Sequence, residues 1–199
     1  MGEVYGPCQE QAGERAQPAA VAAPVRVFVG VKIAPEIARQ LAEFAAPLAR
    51  SSVRRVATDD IHLTLVPPWN EAFLADAIEK LRGVAAGFGA FWLSFQRITY
   101  GPQPRRPRLL WVDCASSDDI VALRAALLEA CGQTDERPFQ PHVTLARIRS
   151  DGLAIARNHP IDQPLSFMQH VEAIEFFQSP PQGGTGYRVL ASLPLGKSR

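Results

Sequence analysis

The sequence predicts an α+β fold of two similar lobes facing one another, and three observations carry that expectation. A tetrapeptide of the form His-x-Thr-x is written twice, as His62-Leu63-Thr64-Leu65 and as His142-Val143-Thr144-Leu145. The two histidines stand 80 positions apart, and each copy follows a stretch with helically spaced apolar residues. Runs of period two, which mark strands, are interleaved along the chain with runs of period 3.6, which mark helices. With 199 residues, 47% hydrophobic and 21% charged, the chain has the material for one globular unit with a sizeable core.

Taken in order, residues 1–24 are rich in Ala, Gly, Pro, Gln and Glu without apolar periodicity and read as a flexible leader. They lack a basic segment followed by an apolar one, so they do not form a signal peptide. The folded part is expected over residues 25–195, with 196–199 as a tail. Val25, Val27, Val29 and Val31 alternate along a first strand. Pro35-Glu36 opens a helix with Ile37, Leu41, Phe44 and Leu48 on its inner side, bent or ended at Pro47. Val53 to Ala57 reads as a short strand, and Asp59-Asp60 turns the chain into the first motif. Asn70-Glu71 is expected to start a second helix carrying Phe73, Leu74, Ile78 and Leu81.

The second half repeats the logic. Phe91, Leu93 and Phe95 begin a strand that runs to Tyr100, and Arg108 to Cys114 forms another; the prolines of 101–107 exclude regular structure between them. Ser117-Asp118-Asp119 caps a helix that Gly132 ends. After the second motif, Val171 to Gln178 and Tyr187 to Leu195 read as a final pair of strands joined by the loop from Pro180 to Gly184.

Within each motif the His and the Thr share one face of a strand while the aliphatics bury on the other. If the two strands are neighbours, two imidazoles and two hydroxyls converge on one small volume, suited to holding a phosphate between an acid and a base. Imidazole, with an unperturbed pKa of roughly 6.5, serves either role near neutrality. A single such His is more often structural; two in matching contexts are not so easily explained.

These residues and their flanks carry a resemblance. Asp59-Asp60-Ile61 before the first motif, Arg137-Pro138-Phe139-Gln140-Pro141 before the second and Ala146-Arg147 after it look like the 2H phosphoesterase superfamily. The likeness is greatest to its bacterial and archaeal RNA 2′,3′-cyclic phosphodiesterases, also called 2′-5′ RNA ligase-like proteins, and it runs from about Val25 to Leu195. One departure follows the first motif, where that family usually continues Phe-Leu-Gly and this chain reads Val66-Pro67-Pro68-Trp69. The resemblance implies antiparallel-rich sheets lining a central groove, with helices packed outside. It also implies a monomeric, cofactor-free and metal-independent hydrolase that opens RNA-terminal 2′,3′-cyclic phosphate to a 2′-phosphate, while the odd number of cysteines, with no C-x-x-C, fits a reduced cytoplasm. His62 and His142 would be catalytic, as acid and base respectively. Thr64, Thr144 and Arg147 would bind the phosphate, although Arg147 lies an odd number of residues from His142 and faces away unless the strand bends near Ala146.

Alternatives keep the site and change its use. The substrate is otherwise a small cyclic phosphate or a 2′-5′-linked oligonucleotide, or the protein holds RNA ends, in ligation for instance, with little turnover. Two histidines without a third ligand at recognisable spacing fall short of a zinc site. The three cysteines form no C-x-x-C, no apolar run reaches the ~20 residues a bilayer requires, and the net charge of +1 excludes a dedicated nucleic-acid coat. His159 and His170 lack the motif and read as structural. Arg105, Arg106 and Arg108 either touch an RNA backbone or decorate a solvated loop. Phe91, Trp92, Phe95 and Trp111 read as packing residues, which leaves Trp69 as the better base-stacking candidate.

Overall fold

The computed structural model describes residues 23–48, 52–103, 105–181 and 186–196; residues 1–22 of the expected leader and 197–199 of the tail lie outside them, as does most of the 180–184 loop. Among the described residues ten strands alternate with four helices. In chain order they are β1 (Val25–Lys32), α1 (Pro35–Ala45), β2 (Val53–Arg55), β3 (His62–Glu71), α2 (Leu74–Ala86), β4 (Phe91–Gly101), β5 (Leu109–Cys114), α3 (Asp118–Ala130), β6 (His142–Ile148), α4 (Gly152–Asn158), β7 (Gln163–Pro164), β8 (Met168–Val171), β9 (Ala173–Gln178) and β10 (Arg188–Pro194). The strand order is β10-β9-β1-β3-β6-β5-β4-β7, with β2 added to β6 and β8 to β4. Every pairing between these strands is antiparallel.

One lobe is β10-β9-β1-β3 and the other is built on β6-β5-β4. They meet where the motif strands pair, at Leu63 opposite Val143. Beyond that point the two strands part, and β2 takes the free edge of β6. Leu63, Leu65, Val143 and Leu145 are buried in the same core as Leu41 of α1, Leu81 of α2 and Leu123 of α3, so the helices lie behind the sheet and leave the His-Thr face open. α1 packs on β6 and α3 on β3, which fastens the two lobes together from behind.

Most boundaries fall where the residues place them. Pro35 sits in the first turn of α1, which ends at Ala45 before Pro47. Ser117 Oγ accepts the Ile120 N–H at the start of α3, and Gly132 follows its end at φ 60°. The structure corrects three expectations. The second helix begins at Leu74 rather than at Asn70-Glu71, because β3 continues through Glu71 in register with Val25, and the Glu71 carboxylate takes up the Phe73 N–H. The strand expected from Val171 to Gln178 is two: β8 pairs with β4 and β9 with β1, so the chain changes lobe at Glu172. α4 adds a helix where the sequence predicts none, since seven residues are too few for periodicity to show.

Candidate active site

Register brings the two motifs together. Continuing the antiparallel pairing one step to either side of Leu63 and Val143 sets His62 across from Thr144 and Thr64 across from His142. Directly opposed residues project to the same face of a sheet. Each imidazole therefore faces the other motif's hydroxyl, around a local twofold that passes between Leu63 and Val143. All four side chains line a cavity of about 460 Å³, together with Arg147.

Both histidines are held in the same way. His62 Nδ1 lies 2.6 Å from the carbonyl of Asp60, and His142 Nδ1 lies 2.8 Å from the carbonyl of Gln140, in each case two residues upstream. A carbonyl only accepts, so Nδ1 carries the hydrogen and donates it. That fixes the tautomer: Nε2 is left as a base when the ring is neutral and as an acid when it is protonated.

Arg147 joins them through a bulge. Leu110 and Trp111 of β5 pair with Ala146 and Thr144, so Leu145 is an extra residue in β6, and Leu145 and Ala146 are buried in succession. One extra residue reverses the side-chain alternation. Arg147 thus returns to the face of His142, which meets the condition that sequence alone left open. β3 carries the same bulge at the same place, since Gly30 and Val29 pair with Thr64 and Val66, leaving Leu65 over. Pro67 therefore occupies in the first motif the position Arg147 occupies in the second, and it too lines the cavity.

The surroundings of the two rings differ. His62 is packed against Phe28 at 4.8 Å between ring centroids, Phe177 at 5.7 Å and the edge of Tyr187 at 5.0 Å. Burial among these rings pushes its pKa below the ordinary imidazole value; the Asp60 carbonyl opposes the shift, and the charge of Arg147 adds to it. His142 rests on Trp111 at 4.5 Å. Beside it the Gln140 amide donates to Asp113 Oδ1 at 3.1 Å, and burial raises the pKa of that carboxyl against the pull of this bond. Asp60 also acts through its side chain. The carboxylate accepts the N–H groups of Gly186 and Tyr187 at 3.1 and 2.8 Å, which pins the start of the final strand over His62.

Several of these residues carry no signal in the sequence. Phe28, Phe177 and Tyr187 come from β1, β9 and the approach to β10, so only tertiary structure assembles them around His62. Trp111 is buried as expected of a packing residue, yet its ring forms the seat of His142. Trp92, by contrast, is 59% exposed and packs its ring at a tilt against His170, because β4 turns it outward. Trp69 is not a stacking platform: it is buried, packs on Phe176 and donates its Nε1 hydrogen to Glu71 at 3.1 Å. Pro67 and Pro68 of the departing segment border the cavity instead. His159 and His170 stand outside it, and Arg105 and Arg106 line a separate depression with Arg149. Among the described residues no three His, Cys, Asp or Glu side chains stand together as a metal-binding group, and no helix is long and apolar enough to cross a membrane.

The chain is similar to several known proteins. A family model described as the 2′-5′ RNA ligase superfamily matches residues 33–168. The RNA 2′,3′-cyclic phosphodiesterase of Geobacillus stearothermophilus is 30% identical over 131 residues, which cover 60% of this chain but only 41% of that protein's length. The protein of the same name from Bacillus subtilis strain 168 is 31% identical over 133 residues, covering 60% of this chain and 69% of that protein. Among solved structures, TT0787 of Thermus thermophilus superposes with a TM-score of 0.71 at 22% identity over 87% of this chain and 100% of that one. E. coli LigT complexed with 3′-AMP gives 0.68 at 24% identity over 86% and 98%. At these identities the structural likenesses bear on the fold.

Proposed function

Because the chain belongs to the 2′-5′ RNA ligase superfamily, we propose that it is a phosphodiesterase that opens RNA-terminal 2′,3′-cyclic phosphate to a 2′-phosphate, with His62 and His142 as its acid and base. The observation that carries this reading is the matched pair of Nδ1 bonds to the Asp60 and Gln140 carbonyls. They leave two Nε2 atoms available to one cavity, each in the tautomer that proton transfer requires. The names of the Geobacillus and Bacillus relatives support the substrate class.

In this mechanism His142 Nε2 takes a proton from water as its oxygen bonds to phosphorus. The bond from phosphorus to the ribose 3′ oxygen breaks, and His62 Nε2–H delivers a proton to that oxygen. Thr64, Thr144 and Arg147 hold the non-bridging oxygens, where charge gathers in the transition state. The lowered pKa of His62 is compatible with its role as acid, because a phosphate anion seated beside the ring offsets the desolvation that lowers it. The likeness assigns the order of the roles, and the site's near-symmetry would permit the reverse.

The test is incubation with an oligoribonucleotide ending in 2′,3′-cyclic phosphate, followed by identification of the product end. A 2′-phosphate is expected. Tight binding without turnover would mark an RNA-end-binding module instead, and turnover confined to 2′-5′-linked oligonucleotides would move the activity to that linkage.

A further inference from the structure

The tautomers of both histidines depend on upstream carbonyls, and the two halves hold those carbonyls by different means. Asp60 closes a short helical turn, Thr58–Asp60, with its own N–H on the Ala57 carbonyl at 2.9 Å. Its carboxylate is fixed in addition by the Gly186 and Tyr187 N–H groups. Gln140, by contrast, is exposed and stands in a stretch, 133–141, that belongs to no helix or strand. Pro141 biases it toward an extended backbone, and the Pro141 carbonyl accepts the Cys114 N–H at 2.9 Å, which fixes the residue after it. At Gln140 itself the tether is the side chain, whose amide donates to Asp113 Oδ1 at 3.1 Å.

Asp113 is placed to serve the histidine. It is the direct cross-strand partner of His142, so the two side chains share the open face of the sheet. On its other side Arg97 of β4 lies opposite Asp113, in the position from which a cross-strand ion pair is ordinarily made. Instead the Arg97 guanidinium is bound by both oxygens of Asp162, at 2.5 and 2.6 Å, which leaves Asp113 Oδ1 to the Gln140 amide. His62 has no carboxylate in the equivalent place, since its outer cross-strand partner is Lys32. From Asp113 the contacts run through the Gln140 side chain to its main chain, and from the Gln140 carbonyl to His142 Nδ1 at 2.8 Å. We infer that Asp113 is a positioning residue for the second histidine: by holding Gln140 it fixes the carbonyl that sets the His142 tautomer and aims Nε2 into the cavity. Asp113 does not line that cavity and acts through Gln140 alone.

The inference rests on the proposed function, and its test separates the two. D113A, D113N, Q140A and D113A/Q140A are compared with the unmodified protein on an oligoribonucleotide ending in 2′,3′-cyclic phosphate. D113A and Q140A should each lose about tenfold in kcat with KM within about twofold, since a reacting group misplaced by about 1 Å can cost on the order of 10². D113N keeps an acceptor for the Gln140 amide and should recover most of the lost kcat. The double variant should be no worse than either single one, because both remove the same contact. Full kcat in D113A, a D113N as impaired as D113A, or losses that multiply in the double variant overturn the assignment. Should D113A not fold, Q140A carries the test, because its side chain is exposed, and unimpaired kcat there overturns the assignment equally. If the unmodified protein does not turn the substrate over, the proposed hydrolysis fails. Asp113 is then judged by nitrogen NMR of the His142 ring at alkaline pH: a single Nδ1–H tautomer that becomes a mixture in D113A and Q140A upholds the positioning, and an unchanged pattern overturns it.

Discussion

Replacing Gly101 with Ala should disable the site through a residue that does not line the cavity. A Cβ at position 101 would lie 2.4 and 2.5 Å from Cε2 and Cζ2 of Trp111 and 2.9 Å from its Nε1. Carbon atoms in contact rest about 3.5–4.0 Å apart, so the indole must retreat by roughly 1 Å. Overpacking of this kind costs about 1–3 kcal/mol. At about 2–4 °C per kcal/mol for a chain of this size, Tm should fall by roughly 2–12 °C. The His142 ring, seated on that indole, shifts with it, and a misplacement of about 1 Å can cost on the order of 10² in rate. Thermal unfolding and steady-state kinetics on a cyclic-phosphate-ended oligonucleotide measure both effects, with the kinetic loss expected in kcat. Trp111→Phe in the same chain removes the clashing atoms, and it forfeits no hydrogen bond, because Nε1 has no partner among the described residues. The double variant should therefore lose less than the two single variants combined. Wild-type kcat and Tm in Gly101→Ala, or strictly additive losses, would refute the seating of His142 on Trp111.

Three further outcomes are expected. Replacing His62 or His142 with Ala should lower turnover by about 10²–10⁴ with the fold intact, and removing both should cost less than the product of the single losses; two fully active single variants would end the mechanism. Turnover should survive a chelator, because the proposed mechanism draws acid, base and phosphate clamp from side chains, and activity restored only by a divalent ion would contradict that. The third outcome is a pH effect on stability. His62 has a folded pKa below its unfolded value of roughly 6.5, so its contribution is present above that pH and is lost as pH falls toward the folded pKa, where the unfolded chain binds the extra proton. Urea unfolding between pH 8 and 5 should show a larger loss for the wild type than for His62→Gln, and equal losses would mean that His62 is not desolvated.

What the sequence disclosed about this site follows from the range over which each signal acts. The alternation in His62-Leu63-Thr64-Leu65 and in its twin is local, so the strands and the face shared by His and Thr could be read directly. The pairing of those strands could be posed only as a condition, and Leu63 opposite Val143 meets it. The bulges left no readable mark, because Leu145-Ala146 and Leu65-Val66 look like ordinary strand residues. Their effect on Arg147 exists only in the register with β5. Trp111 and Tyr187 were hidden for another reason. Their value to the histidines depends on strands far apart in sequence, and aromatic residues in strands are ordinarily explained by packing alone.

The near-symmetry of the two motifs also explains where it ends. His, Thr, the upstream carbonyl bond and the bulge are matched in both halves, and the fifth position after the His is Arg147 in one and Pro67 in the other. A cyclic phosphodiester carries a single negative charge, so one guanidinium beside the motifs balances it. Arg147 already lowers the pKa of His62 across the local twofold. A second arginine in place of Pro67 would set a further cation beside the histidines, beyond the one that a singly charged phosphodiester balances. Pro67 also has no N–H to offer the sheet, and it is accommodated because β3 parts from β6 beyond Leu63 and is irregular against β1 at this point. The departure after the first motif thus keeps a second cation away from the histidines and makes the cavity wall apolar at Pro67 and Pro68.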